Sequence, residues 1–160
     1  LKQYSLLVRK FIKNKNVKII FEPGRFIIGN TAVLISKIIY IKKSNNKKIV
    51  ILDAGMNDLM RPALYDAEHQ IVPLKKTNRR IGGNIEFVGP VCESADKFFS
   101  RKGFVQIREG DYVGLTHVGA YGMSLSSNYN SRPTAAEIMV TGSRHKLIRK
   151  RQSLENLVKN

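Results

Sequence analysis

From Ala32 onward the chain breaks into short apolar runs closed by turn residues, and this cadence limits the fold more than any other feature. Residues 32–43 are rich in Val and Ile. A polar turn follows at 44–48, built around Ser44-Asn45-Asn46, and then a strand at 49–53. The pattern predicts a β-hairpin. Further strands are predicted at 70–73, 84–88, 103–107, 112–116 and 136–141, with a turn at Arg108-Glu-Gly-Asp111. Residues 96–101 read as a helical turn. Ser153 is placed to cap a last helix over 154–159. Short strands at such spacing indicate an all-β barrel or sandwich.

The first 31 residues have another texture. Tyr4, Leu7, Val8, Phe11 and Ile12 recur at helical spacing among Lys and Arg, which predicts an amphipathic helix over 1–16. A strand is expected at 17–22, and Pro23-Gly24 ends it. One βα unit cannot bury both its faces. The expectation is therefore the end of an α/β domain at 1–31 joined to a β-rich domain at 32–160. The rest of the first domain would lie upstream or come from another chain.

Length and charge narrow the class. With 160 residues the chain is too short for a complete (β/α)₈ barrel, which needs about 250. Its 42% hydrophobic and 25% charged content is that of a globular protein. The formal net charge of +16 invites a nucleic-acid reading. However, Lys (17), Ile (17) and Asn (12) are enriched together, as AT-rich codons produce. The lysines near residues 10–18 and 42–48 lack interleaved aromatics, so a solvated face is expected rather than a stacking platform. The single Cys92 excludes an internal disulfide and a multi-cysteine zinc site. No apolar run approaches the roughly 20 residues that span a bilayer. A soluble, cytoplasmic protein is expected.

Four clusters carry chemistry. Glu22-Pro23-Gly24-Arg25 stands at the C-terminal end of a strand, where Gly24 would let backbone amides approach an anion; on the tetrapeptide alone a plain strand-to-helix turn is the favoured reading. In Asp53-Ala-Gly-Met-Asn-Asp-Leu-Met-Arg-Pro-Ala-Leu-Tyr65, continuing to His69, Arg61 and Tyr65 share a face if the segment is helical. Such a pair suits a carboxylate; a surface loop with one exposed Arg is the alternative. Gly89-Pro90-Val91-Cys92-Glu93-Ser94-Ala95-Asp96 presents Cys92 beside Glu93, although a lone Cys is commonly a small buried hydrophobe. Gly119-Ala-Tyr-Gly-Met-Ser-Leu-Ser-Ser-Asn-Tyr-Asn-Ser-Arg-Pro133 is rich in hydroxyls, and Tyr121 could reach a phosphate.

Taken in this order, the four motifs resemble those of the fold-type III pyridoxal-phosphate decarboxylases acting on diaminopimelate, ornithine or arginine, and the diaminopimelate branch most. The resemblance runs from about residue 1 to the C-terminus. It implies an alanine-racemase-like barrel followed by a β-domain, with pyridoxal 5'-phosphate as cofactor. Glu22 would contact the pyridine nitrogen, so that the ring accepts the electrons left when CO₂ departs. Gly24, Arg25 and the Tyr121 hydroxyl would hold the phosphate. Arg25, Arg61 and Tyr65 would grip the distal carboxylate of the substrate, with Tyr121 beside them. Glu93 would pair with the distal ammonium, and Cys92 would be the acid that returns a proton to carbon. In this family the Cys-Glu loop enters the neighbouring subunit's site, so a homodimer with shared active sites is implied. Ornithine-type relatives carry Asp at the Glu93 position and lack the Arg61 pattern, which favours diaminopimelate.

The resemblance also has a gap. The Schiff-base lysine, the ring-stacking histidine and the glycine-rich phosphate loop have no counterpart in these 160 residues. A fragment, one part of a split enzyme, or a decayed copy is expected, inactive alone and in need of the N-terminal barrel. Two other readings remain: a decarboxylase of another basic amino acid, and a non-catalytic protein binding nucleic acid or a partner.

Overall fold

The structure, a computed structural model, describes residues 1–159. In chain order its elements are α1 (Lys2–Ile12), α2 (Gly24–Ile28), β1 (Val33–Ser44), β2 (Lys47–Leu52), α3 (Arg61–Tyr65), β3 (Ile71–Pro73), β4 (Arg80–Val88), β5 (Lys97–Val105), β6 (Tyr112–Thr116), β7 (Glu137–Thr141), β8 (Arg144–Arg149) and α4 (Leu154–Val158). Six strands form one sheet in the order β3-β6-β1-β2-β4-β5, and β7-β8 form a separate hairpin.

The long strand β1 organises the sheet. Its first half pairs antiparallel with β6, from Val33 opposite Thr116 to Lys37 opposite Tyr112. Its second half pairs antiparallel with β2, ending at Ser44 opposite Lys47 across the two-residue loop Asn45-Asn46. A register shift between Ile38 and Tyr40 separates the halves. Such an irregularity bends a strand and sharpens its twist, so one strand serves two sub-sheets and the domain becomes partly barrel-like. On the far side β2 runs parallel to β4, and β4 antiparallel to β5.

Alternation decides what the sheet buries. Ile38, Val50, Leu52, Ile85, Phe87, Val113 and Leu115 all point inward and are at most 1% exposed. Phe87 meets Phe104 edge to face, with centroids 5.1 Å apart. Truncating such a ring to Ala costs about 3–5 kcal/mol, from lost burial and the cavity left behind. The lysines at the hairpin tip, including Lys42, Lys43 and Lys47, are exposed.

Two expectations fail here. Residues 17–22 form no strand. Their β-branched composition suits one, but no neighbouring strand offers a ladder, and strand preference depends on such context. Residues 96–101 are not a helical turn; 97–101 form the first half of β5, whose expected span of 103–107 is too short and too late. Lys97, Ser100, Arg101 and Lys102 interrupt the apolar run. Phe98 is nonetheless buried, and Phe99 lies opposite Phe87 on β4. β8, which the pattern did not predict, pairs with β7 and is exposed along its whole length. The last helix forms as expected, with the Asn156 amide donating to Ser153 Oγ at 3.2 Å.

Candidate functional site

The chain leaves β2 at Leu52 and reaches α3 through a loop held by backbone and carboxylate contacts. Asp58 Oδ2 accepts the Gly55 amide at 2.9 Å, and burial raises the Asp58 carboxyl above its ordinary range. Pro62 stands in the first turn of α3, where its fixed φ suits a helix start. Asp66 ends the helix in a left-handed conformation (φ 52°), with its amide donating to the Pro62 carbonyl at 3.1 Å. The chain therefore doubles back and brings His69 beneath Arg61.

Arg61 is the most unusual residue of the site. It is only 8% exposed, yet none of the ion pairs among the described residues includes it. Its Nη1 lies 3.4 Å from His69 Nε2, and its guanidinium lies 5.8 Å from the centre of the Tyr121 ring. Its buried Nε has no hydrogen-bond partner. A buried cation without a counter-charge costs several kcal/mol, and none of the described residues brings a carboxylate within ion-pair distance of it.

Arg61 and Tyr65 face a cavity of about 600 Å³ whose other walls are Arg25, Ala67, Glu68 and Tyr121. Arg25 comes from α2, and Tyr121 from the loop after β6. These two segments meet at Gly119, whose amide donates to the Gly29 carbonyl at 3.1 Å. A Cβ on Gly119 would stand 2.0 Å from the Ile28 carbonyl oxygen, so only glycine permits this approach. Tyr121 itself sits at φ 63°. That conformation costs a bulky residue about 1–3 kcal/mol, and such strain persists where surrounding structure imposes it.

A second cluster stands apart from these walls. Cys92 and Glu93 lie on an exposed loop between β4 and β5. Beneath it Asp96 is 2% exposed. Its Oδ1 accepts the Met56 amide and its Oδ2 the Val91 amide, each at 2.7 Å. Burial raises the Asp96 carboxyl above its ordinary range, and the two amides partly offset this. A Cβ on Gly89 would lie 2.2 Å from Asp96 Oδ2, so Gly89 makes room for the carboxylate. Above, the Tyr129 hydroxyl donates to the Glu93 carboxylate, which raises the Tyr129 pKa. Arg132 ties the Tyr129 segment down: its Nε donates to Asn57 Oδ1 at 2.8 Å, and it also reaches the Asp53 carbonyl.

The structure thus gathers Arg25, Arg61, Tyr65 and Tyr121 into one pocket. Cys92, Glu93, Glu22 and Gly24 do not line it; Glu22 and Gly24 are exposed on the approach to α2. Cys92 is exposed, contrary to the common fate of a lone cysteine. Sequence reasoning overlooked His69, Asp96, Tyr129 and Arg132 as supporting residues. Each lies inside or beside a quoted motif, and that proximity was the available signal. Among the described residues no cluster of His, Cys, Asp or Glu could hold a metal ion.

Comparison with known proteins places this geometry. The model of the family described as pyridoxal-dependent decarboxylase, C-terminal sheet domain, matches residues 11–119. A diaminopimelate decarboxylase of Zymomonas mobilis is 45% identical over 157 residues, covering 98% of this chain and 37% of that protein. The crystal structure of diaminopimelate decarboxylase from Helicobacter pylori complexed with L-lysine superposes with a TM-score of 0.86 at 40% identity, over 97% of this chain and 38% of that one. An arginine decarboxylase of Paramecium bursaria Chlorella virus shares the fold, with a TM-score of 0.69 at 18% identity. The chain spans little more than a third of the length of these relatives. With its ordered sheet, its cationic pocket and this match, the chain belongs to the pyridoxal-dependent decarboxylases and carries their C-terminal sheet domain.

Proposed function

We propose that the chain is the C-terminal part of a diaminopimelate decarboxylase, which converts meso-diaminopimelate to L-lysine and CO₂ in the cytoplasm. The observation that carries this reading is the buried Arg61 guanidinium with its unpartnered Nε, facing a pocket that Arg25, Tyr65 and Tyr121 also line. A substrate keeping a carboxylate far from its reacting carbon satisfies that charge. A diamine precursor such as ornithine does not.

The same pocket suits the phosphate of the cofactor. Arg25 and the half-exposed Tyr121 phenol supply donors, Glu68 is the one carboxylate in the wall, and the space beside Gly24 is open to an approaching anion. Gly24, Arg25 and Tyr121 would hold the phosphate, and Glu22 would contact the ring nitrogen. Pyridoxal phosphate would supply an electron-accepting ring for the pair left on carbon when CO₂ departs. The protein's residues do the rest. Arg61, Tyr65 and Arg25 orient the substrate through its distal carboxylate. Glu93, held by the Tyr129 hydroxyl, receives the distal ammonium. Cys92 Sγ delivers a proton to the carbon that lost CO₂. Cys92 and Glu93 are exposed and do not line the Arg61 pocket, which supports a reading in which they complete the site of a second copy in a homodimer. The Schiff-base lysine would come from a barrel that precedes this domain, so the 160 residues alone would be inactive.

The test measures CO₂ release from meso-diaminopimelate and from ornithine by the complete enzyme and by Arg61→Ala. Wild type should act on diaminopimelate, and the variant should lose about 10²-fold in kcat/KM, the worth of charged hydrogen bonds to the substrate. An unchanged kcat/KM in Arg61→Ala, or a preference for ornithine, would falsify the reading.

A further inference from the structure

We infer that His69 is the positioning residue for the carboxylate-binding arginine: it fixes the Arg61 guanidinium by accepting a hydrogen bond from Nη1 while its own ring is locked from behind. This rests on the proposed role of Arg61 and goes beyond it.

His69 is 1% exposed and makes two polar contacts with the protein. Its Nδ1 lies 2.9 Å from the Thr116 carbonyl oxygen. A carbonyl can only accept, so Nδ1 carries the proton. In the neutral ring Nε2 is then an acceptor, and it faces Arg61 Nη1 at 3.4 Å. A guanidinium can only donate, so the two ends of the imidazole are matched to their partners in one tautomer alone. The Thr116 carbonyl belongs to β6, whose register against β1 and β3 is fixed by ladders on both sides. The rigid sheet therefore sets the ring, and the ring sets the arginine. With Nη1 held, the guanidinium keeps one orientation toward the pocket it lines, while its buried Nε has no partner among the described residues.

The surroundings keep His69 neutral. Burial lowers its pKa first, and Arg61, His117 and Arg25 add repulsion, against the Thr116 carbonyl that favours the proton. Protonating Nε2 would turn the acceptor into a donor aimed at a cation. The arginine would then lose its anchor and meet like charge.

The experiment compares His69→Leu, which removes both hydrogen bonds, with His69→Gln, whose amide oxygen can still accept from Arg61. Both are made in the complete enzyme. Melting curves confirm that each variant folds. Four quantities are read: KM and kcat for meso-diaminopimelate, the dissociation constant of L-lysine, which retains the carboxylate, and that of cadaverine, which has none. The expected result for His69→Leu is a rise in KM and in the L-lysine constant of about tenfold, the worth of one good hydrogen bond, with cadaverine binding unchanged. His69→Gln should restore most of the loss and remove the acid-side rise in KM expected of wild type. Equal weakening of L-lysine and cadaverine would mean a general structural role and would overturn the inference. So would a His69→Leu KM that does not move while Arg61→Ala raises it, and that pair of results leaves the reading of Arg61 intact. If neither variant changes KM, the reading of Arg61 falls and the inference falls with it.

Discussion

Arg61 is buried with one nitrogen unpartnered, whereas Cys92 and Glu93 stand in solvent above an Asp96 whose two oxygens each accept a backbone amide. Both regions belong to the candidate site, yet they divide stability and chemistry in opposite ways. Around Arg61 the functional group is itself the buried, costly one, and its compensation must come from a ligand. In the Cys92 loop the functional groups are cheap to hold, and a neighbouring residue with no chemical role carries the burial. Substitution should therefore separate binding from folding at the two places. Removing Arg61 leaves no carboxylate orphaned and strands only the neutral His69 Nε2, bonded at a long 3.4 Å, so the fold should tolerate it. Removing Asp96 strands two amides.

The sharpest way to break this comparison is Cys92→Ala in the complete enzyme. If Cys92 is the proton donor, kcat should fall about 10²–10⁴-fold, the usual worth of a positioned acid, while the melting temperature stays put because the side chain is exposed. A matching drop in stability would show that the loop is not built as described. Asp96→Ala should do the reverse. Two partly buried amides lose their acceptor, which costs about 2–4 kcal/mol in denaturant unfolding. Unchanged unfolding would mean that the loop is held by other contacts.

The smallest effect is one of sign. The His69 pKa is below its ordinary 6.5 in the folded chain, so the unfolded state binds more protons and stability falls as pH drops from 6.5 through the folded value. The Asp96 pKa is above its ordinary 3.8, so the folded state binds more protons there and stability grows as pH falls through that raised value. The pocket should loosen and the loop tighten over the acid range. Unfolding followed against pH for His69→Gln and Asp96→Asn should each delete one of these opposing slopes. Parallel slopes in the two variants would contradict the assignment.

Much of this was legible in the residues. The β1–β2 hairpin follows from Val and Ile runs around Ser44-Asn45-Asn46, and β6 falls where the pattern put it. Arg61 and Tyr65, read as one helical face, do share a pocket wall. The misses have physical causes. β5 was misread because Lys97, Ser100 and Arg101 interrupt its apolar run, and only the ladder with β4 settles the segment as a strand. Residues 17–22 have strand composition and no partner. The roles of His69 and Asp96 depend on contacts with Thr116, Met56 and Val91. Two of those contacts span 40 or more residues, beyond the reach of any local motif.

The parallel pairing of β2 with β4 has a kinetic consequence. Two parallel neighbours cannot be joined by a tight turn, so residues 53–79 must travel the length of the sheet before β4 begins. That crossover carries Asn57, Arg61, Tyr65 and His69. The β1–β2 hairpin closes a two-residue loop and can form early, but the pocket must wait for the slower zipping of distant strands. The ability to capture a carboxylate is thus among the last properties a refolding molecule acquires, and its appearance marks a finished sheet.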